Sequence, residues 1–134
     1  MQYQNILGLF LTQMRNGLRK GFFKIKVRKN KSILGILKCL YRENFIEGFY
    51  VCKDEPNFVM VLLKYDQDYQ SIIQSIERIS KPSRRIYINV VTLAKYNKIH
   101  SIFSTLILNT NKGVLSHHEA LQKNVGGEII CRIK

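Results

Sequence analysis

Hydrophobic positions recur along the chain with two alternating periods, and the switches between them predict its elements. Leu7, Phe10, Leu11 and Met14 have the spacing of one helix face, with Asn5 as the expected cap and Arg15-Asn16-Gly17 as the expected end. From Phe22 to Arg28 the period falls to two. Phe23, Ile25 and Val27 then form a packing face, and Lys24, Lys26 and Arg28 a cationic one. Lys29-Asn30-Lys31-Ser32 is a polar turn in which Ser32 is the expected cap of a second helix carrying Ile33, Ile36, Leu37 and Leu40. Two apolar runs, Phe49 to Cys52 and Phe58 to Tyr65, flank Lys53-Asp54-Glu55-Pro56-Asn57 and read as a hairpin. Helix, strand, helix, strand, strand closes one small α/β layer, with Asp66-Gln67-Asp68 as the natural boundary.

In the second half, Ile72, Ile73, Ile76 and Ile79 fit a helical stripe, yet their β-branching and the short distance to Pro82 fit a strand equally well. Lys81-Pro82-Ser83-Arg84-Arg85 is a basic turn feeding a short strand, Ile86-Tyr87-Ile88, and Val91 to Lys98 reads as one or two helical turns. The apolar run Ile102 to Leu108 predicts a strand ending in the five-residue polar turn Asn109-Thr110-Asn111-Lys112-Gly113. Ser116-His117-His118-Glu119 then has the pattern of a capping box. Val125-Gly126-Gly127 ends that short helix, and Glu128 to Ile133 resumes as a strand with Ile129, Cys131 and Ile133 on one side and Glu128, Ile130 and Arg132 on the other. The expected fold class is α+β: an N-terminal α/β domain, residues 1–66, packed against a mostly β C-terminal domain, residues 67–134, with one short helix.

Charge changes this picture more than composition does. The 22 Lys and Arg against 9 Asp and Glu leave a net +13, which costs self-repulsion unless an anionic partner neutralises it. The cations are scattered from Arg15 to Lys134 rather than gathered on one amphipathic helix, which favours nucleic acid over a membrane surface. Cys39, Cys52 and Cys131 form no C-x-x-C pair and sit in apolar segments, so they read as buried reduced thiols.

No nucleophile with a base, metal cluster or paired carboxylates can be assembled, so neither catalysis nor a metal or other cofactor is expected, and no small-molecule substrate is nominated. His117 and His118 are neighbours and would point about 100° apart on a helix, which leaves surface or capping roles. Gly113, Gly126 and Gly127 lack phosphate-loop spacing and read as turn residues. Three basic clusters lie at element ends: Arg15-Asn16 with Arg19-Lys20, Lys29-Asn30-Lys31, and Arg84-Arg85 with Tyr87. Mixed with Asn, Thr and Tyr, they offer charge for phosphates and groups for a 2′-hydroxyl or a base edge. No helix carries a basic stripe suited to a DNA major groove, so RNA is the expected ligand.

Four ordered runs then resemble one family: Leu11 to Gly17, Arg78 to Tyr87, Asn109 to Ser116 and Gly126 to Cys131. Together they resemble the bacterial-type small-subunit ribosomal protein eight family over nearly the whole chain. The resemblance implies early binding to the central domain of small-subunit ribosomal RNA, help in its folding, and neighbouring ribosomal proteins as partners. It also implies RNA contacts at Asn109, Thr110, Asn111, Lys112, Gly113 and Glu128, where the family's turn usually reads Ser-Thr-Ser-Lys-Gly and both serines are asparagines here. Similar contacts are implied at Thr12, Arg15, Asn16, Arg84, Arg85 and Tyr87, and the basic clusters add Lys31. The first helix belongs to the fold, so no added targeting sequence is expected and the chain is either bacterial or made inside an organelle. Heavy use of Ile, Lys, Asn, Tyr and Phe suggests an AT-rich genome and favours a mitochondrion over a bacterial cytoplasm or a plastid. A free-standing RNA chaperone or translational regulator is the rival reading.

Overall fold

A computed structural model describes residues 2–100 and 104–134, and it divides into two compact units, Met1–Gln74 and Ser75–Lys134. The first unit runs α1 (Gln2–Lys20), β1 (Lys24–Arg28), α2 (Lys31–Arg42), β2 (Ile46–Val51) and β3 (Phe58–Leu63), with an antiparallel sheet ordered β1-β3-β2. The order matches the expected layer. Leu7, Phe10, Leu11 and Met14 of α1 and Ile33, Ile36, Leu37 and Leu40 of α2 are all buried, as are Val27, Val59, Val61 and Leu63 of the sheet. Each such side chain contributes roughly 1.5–3 kcal/mol by leaving water. Asp66 Oδ1 accepts the amides of Asp68 and Gln70 at 2.8 and 2.9 Å, which folds the polar stretch after β3 back into this unit.

Two boundaries differ from expectation for local reasons. Asn5 lies inside α1, and the helix passes Arg15-Asn16-Gly17 to reach Lys20. Gly17 is there for close packing, because a Cβ on it would come within 2.6 Å of Ile25 Cγ2. The helix stops at Gly21, whose φ of 74° suits glycine, and the amides of Gly21 and Phe22 return to the carbonyls of Leu18 and Gly17. In α2 the cap is Asn30, not Ser32: the Asn30 side chain accepts the Ser32 amide at 2.9 Å.

The second unit contains β4 (Ile76–Arg78), β5 (Tyr87–Ile88), α3 (Val90–His100), β6 (Thr105–Thr110), β7 (Gly113–Ser116), α4 (His117–Gln122) and β8 (Gly127–Ile133). Ile76–Arg78 is a strand, which resolves the ambiguity there, and α3 is three turns long rather than one or two. Ile102 and Phe103, expected to open the strand before the polar turn, lie outside the described residues. The sheet is ordered β4-β8-β6-β7, with β5 on the same edge of β8 as β4. The expected five-residue turn is only Asn111-Lys112; Gly113 already pairs with Thr110 and begins β7, a strand not foreseen. Leu93, Leu106, Leu108, Leu115, Ala120 and Ile129 form the core between this sheet and its helices. β8 does not alternate cleanly: Glu128 and Ile130, expected on the face away from Ile129, are buried too, and a register shift interrupts its pairing with β6.

Candidate nucleic-acid interface

In the second unit, strand register gathers residues that lie far apart in sequence. Leu108 pairs with Leu115 on β7 and Ile129 on β8, and this row faces the core. One residue further along each strand the side chains reverse face. There Asn109 pairs with Val114 on one side and Glu128 on the other, and Glu128 pairs in turn with Tyr87. Tyr87, Glu128 and Asn109 therefore form one cross-strand row. Tyr87 is 66% exposed while Glu128 is only 9% exposed, so a shielded carboxylate lies between an open phenol ring and an open carboxamide.

The paired glycines allow this row to close. A Cβ on Gly126 would fall 2.4 Å from the Ile88 carbonyl oxygen, and one on Gly127 would fall 2.4 Å from the Asn109 carbonyl oxygen. They are close-approach residues at the junction with β5 and β6, not simply the turn residues their spacing suggested. At the hairpin tip, Thr110 Oγ1 accepts the Lys112 amide at 3.1 Å and donates to the Gly113 carbonyl at 2.8 Å. Gly113 takes φ 105°, which an L side chain rarely adopts. Thr110 is thereby committed to shaping the turn, while Asn111 and Lys112 project into solvent.

The basic turn is shaped by a residue the sequence did not single out. Ser80 is buried; its hydroxyl accepts the Ile86 amide at 3.0 Å and donates to the Ile86 carbonyl at 3.3 Å. Lys81 and Arg84 exchange backbone hydrogen bonds of 2.8 and 3.0 Å, which leaves Arg84 and Arg85 exposed. Arg85 Nε comes within 3.9 Å of Glu128 Oε2, too far for a hydrogen bond. That oxygen is buried and has no hydrogen-bond donor among the described residues. A carboxylate in that condition is an acceptor prepared for a partner's N–H or O–H.

In the first unit Thr12, Arg15 and Asn16 share α1, while Lys31 opens α2 and is exposed. Thr12 Oγ1 donates to the Gly8 carbonyl at 2.9 Å, and Asn16 Oδ1 accepts Arg19 Nη2 at 2.8 Å. These residues belong to a different compact unit from the cross-strand row.

Two features hold α4 under the site. The expected capping box is present: the Glu119 amide donates to Ser116 Oγ at 3.3 Å, and the Ser116 amide to Glu119 Oε1 at 3.1 Å. His117, expected at the surface, is fully buried; its Nδ1 accepts the Leu106 amide at 3.1 Å, and Tyr96 packs edge-on against its ring. Only the neutral ring can accept that bond. Burial, with the neighbouring His118 adding to it, pushes the His117 imidazole down to about 4. Above pH 6.5 neither folded nor unfolded chain is charged there, but below it the unfolded chain binds a proton that the folded chain refuses. Stability should fall by about 2 kcal/mol between pH 7.5 and 5 on this account. Urea unfolding at the two pH values should show that loss in the wild type and a smaller one in His117→Gln.

The three cysteines are unbridged, and no helix among the described residues is long and apolar enough to cross a membrane. Comparison with known proteins gives one consistent answer. The chain is 36% identical over 124 residues to the small ribosomal subunit protein uS8 of Nautilia profundicola, covering 92% of each chain. It is 38% identical over 124 residues to that of Treponema pallidum, again with 92% of each covered. With that of Aliarcobacter butzleri it shares 33% over 131 residues, 96% of this chain and 97% of the relative. The family model described as ribosomal protein S8 matches residues 5–133, so this α+β chain belongs to the ribosomal protein S8 family.

Proposed function

We propose that this chain is a structural, non-enzymatic constituent of the small ribosomal subunit, binding the central domain of small-subunit ribosomal RNA and helping that domain assemble among neighbouring ribosomal proteins. The C-terminal unit grips RNA through Arg84, Arg85, Tyr87, the Asn109–Gly113 tip and Glu128. The N-terminal unit adds Thr12, Arg15, Asn16 and Lys31. The observation that carries this reading is the shielded Glu128 oxygen with no hydrogen-bond donor among the described residues, bracketed by an exposed Tyr87 and Asn109 in a chain of net charge +13. Cations supply sequence-independent attraction to phosphates, and the acceptor row supplies selection of base amino groups or 2′-hydroxyls.

Gel-shift titration of the full chain against a central-domain transcript and a scrambled transcript of equal length tests it. The cognate RNA should bind more tightly, with log K falling against log salt by about 0.7–0.9 per phosphate contacted. Equal affinity for both would end the proposal. Glu128→Gln decides the acid's part by sign: an acceptor role predicts about tenfold weaker cognate binding, whereas a carboxylate that merely repels phosphate would give tighter binding when neutralised.

We also propose a mitochondrial ribosome as its setting, supported by the Ile-, Lys- and Asn-rich sequence, although the relatives above are bacterial. Sedimentation with the organelle's small subunit through high salt is the expected result. Recovery only outside the organelle would overturn it, and recovery away from ribosomes would favour a free-standing RNA chaperone.

A further inference from the structure

Between α1 and β1 of the first unit lies a groove of about 340 Å³, lined by Gln13, Asn16, Gly17, Phe22, Lys24 and Lys26, with Ile25 beneath. We propose that this groove holds one unpaired RNA nucleotide, its base stacked on Phe22, its edge facing Gln13 and Asn16, and its phosphate beside Lys24. The site rests on the RNA-binding reading above but uses none of the second unit's residues.

Phe22 is half exposed, a large apolar area to leave in water. Its main chain is anchored: the Phe22 amide donates to the Gly17 carbonyl at 2.9 Å and the Tyr65 hydroxyl donates to the Phe22 carbonyl, while Lys20 Nζ lies 5.9 Å from the ring centroid. An exposed aromatic face on an anchored main chain, flanked by cations, suits base stacking, because every base offers a π-face. Gly17 lets Ile25 pack directly against α1, so the floor of the groove is closed and apolar. Gln13 Nε2 makes only a long 3.5 Å contact to the Lys26 carbonyl, and Asn16 uses its oxygen on Arg19, which leaves the Asn16 amide nitrogen without a protein acceptor among the described residues. Lys26 is engaged by Glu55 at 2.8 Å, whereas Lys24 has no acidic partner among the described residues. Aromatic face, carboxamide donors and a spare ammonium match a nucleotide's base, edge and phosphate, and the cationic rim disfavours a basic protein segment.

The chain contains no tryptophan, so Phe22→Trp installs a single reporter at the platform. Its emission should be quenched by an adenosine hexanucleotide and by the central-domain transcript, but not by an abasic hexamer. In the otherwise native chain, Phe22→Ala should weaken hexanucleotide binding about tenfold while leaving abasic-hexamer binding unchanged, the size expected for one lost stack. Lys24→Ala should weaken both hexamers equally and reduce the salt slope by about 0.7. Equal binding of the two hexamers by the wild type, or an unquenched Trp, would overturn the proposal. So would a reporter that responds only when small-subunit proteins are added, which would assign the groove to a protein neighbour. If the hexanucleotide results fail while cognate-transcript selectivity persists, this site alone is wrong. If that selectivity fails too, the RNA-binding reading falls with it.

Discussion

Gly127→Ala is expected to lower stability by about 2 kcal/mol. Two effects of opposite sign meet at the position. Gly127 has ordinary negative φ, so alanine would on backbone grounds stabilise the chain by about 0.4–1 kcal/mol through the unfolded state. Against that, the new Cβ lies 2.4 Å from the Asn109 carbonyl oxygen and 3.0 Å from its carbon, both backbone atoms that no rotamer change can move. β8 must then shift away from β6 where Asn109 pairs with Glu128, and overpacking of this kind typically costs 1–3 kcal/mol or more. Steric cost wins. Gly48→Ala is the matched control: its Cβ would meet only Leu62 Cδ1, at 4.0 Å, so the urea midpoint should hold or rise slightly. A Gly127→Ala midpoint that also holds would mean β8 can relax freely, and the close approach would lose its explanatory value. Because the same shift moves Glu128 away from Asn109, cognate RNA affinity should fall along with stability.

The gap between what the chain announces and what it hides follows the range of the interactions. Helix faces such as Leu7-Phe10-Leu11-Met14 and most of the alternation from Phe22 to Arg28 were legible because burial of one face imposes a period on consecutive residues, although Phe23, expected on the packing face with Ile25 and Val27, precedes β1 and is exposed. The Ser116–Glu119 capping box was legible because both partners lie within one turn. What stayed hidden depends on residues distant in sequence. His117 looks like a surface histidine until β6 supplies the Leu106 amide, and the paired glycines look like a turn until the backbones of Ile88 and Asn109 come against them. Ser80 gave no signal either, since its partner Ile86 lies across the loop it closes. The site residues themselves were named from motif resemblance and basic clustering. Their convergence into a Tyr87–Glu128–Asn109 row is a property of register, which no single strand encodes.

Replacing both Asn109 and Asn111 by Leu should cost cognate RNA binding roughly 30–100-fold, about 2–3 kcal/mol, and barely change binding to a mismatched transcript. Asn109 sits in a β6 position that accepts any strand-compatible side chain, and Asn111 has no left-handed φ, so leucine fits both backbones and the fold should persist. What disappears is two carboxamides able to donate and accept at once, the property that discriminates one arrangement of base edges and sugar hydroxyls from another. Lys112→Ala removes a point charge from the same hairpin tip, where Thr110 holds the backbone in place regardless of the side chain at 112. Its effect should be several-fold and alike for matched and mismatched RNA, with the salt slope reduced by about one contact. The two variants alter adjacent positions on one rigid turn, so a general loosening of the hairpin would weaken them in the same way. Divergent selectivity from neighbouring positions can arise only if the carboxamides read the RNA and the ammonium simply holds it; parallel losses in both titrations would reduce the tip to an electrostatic anchor.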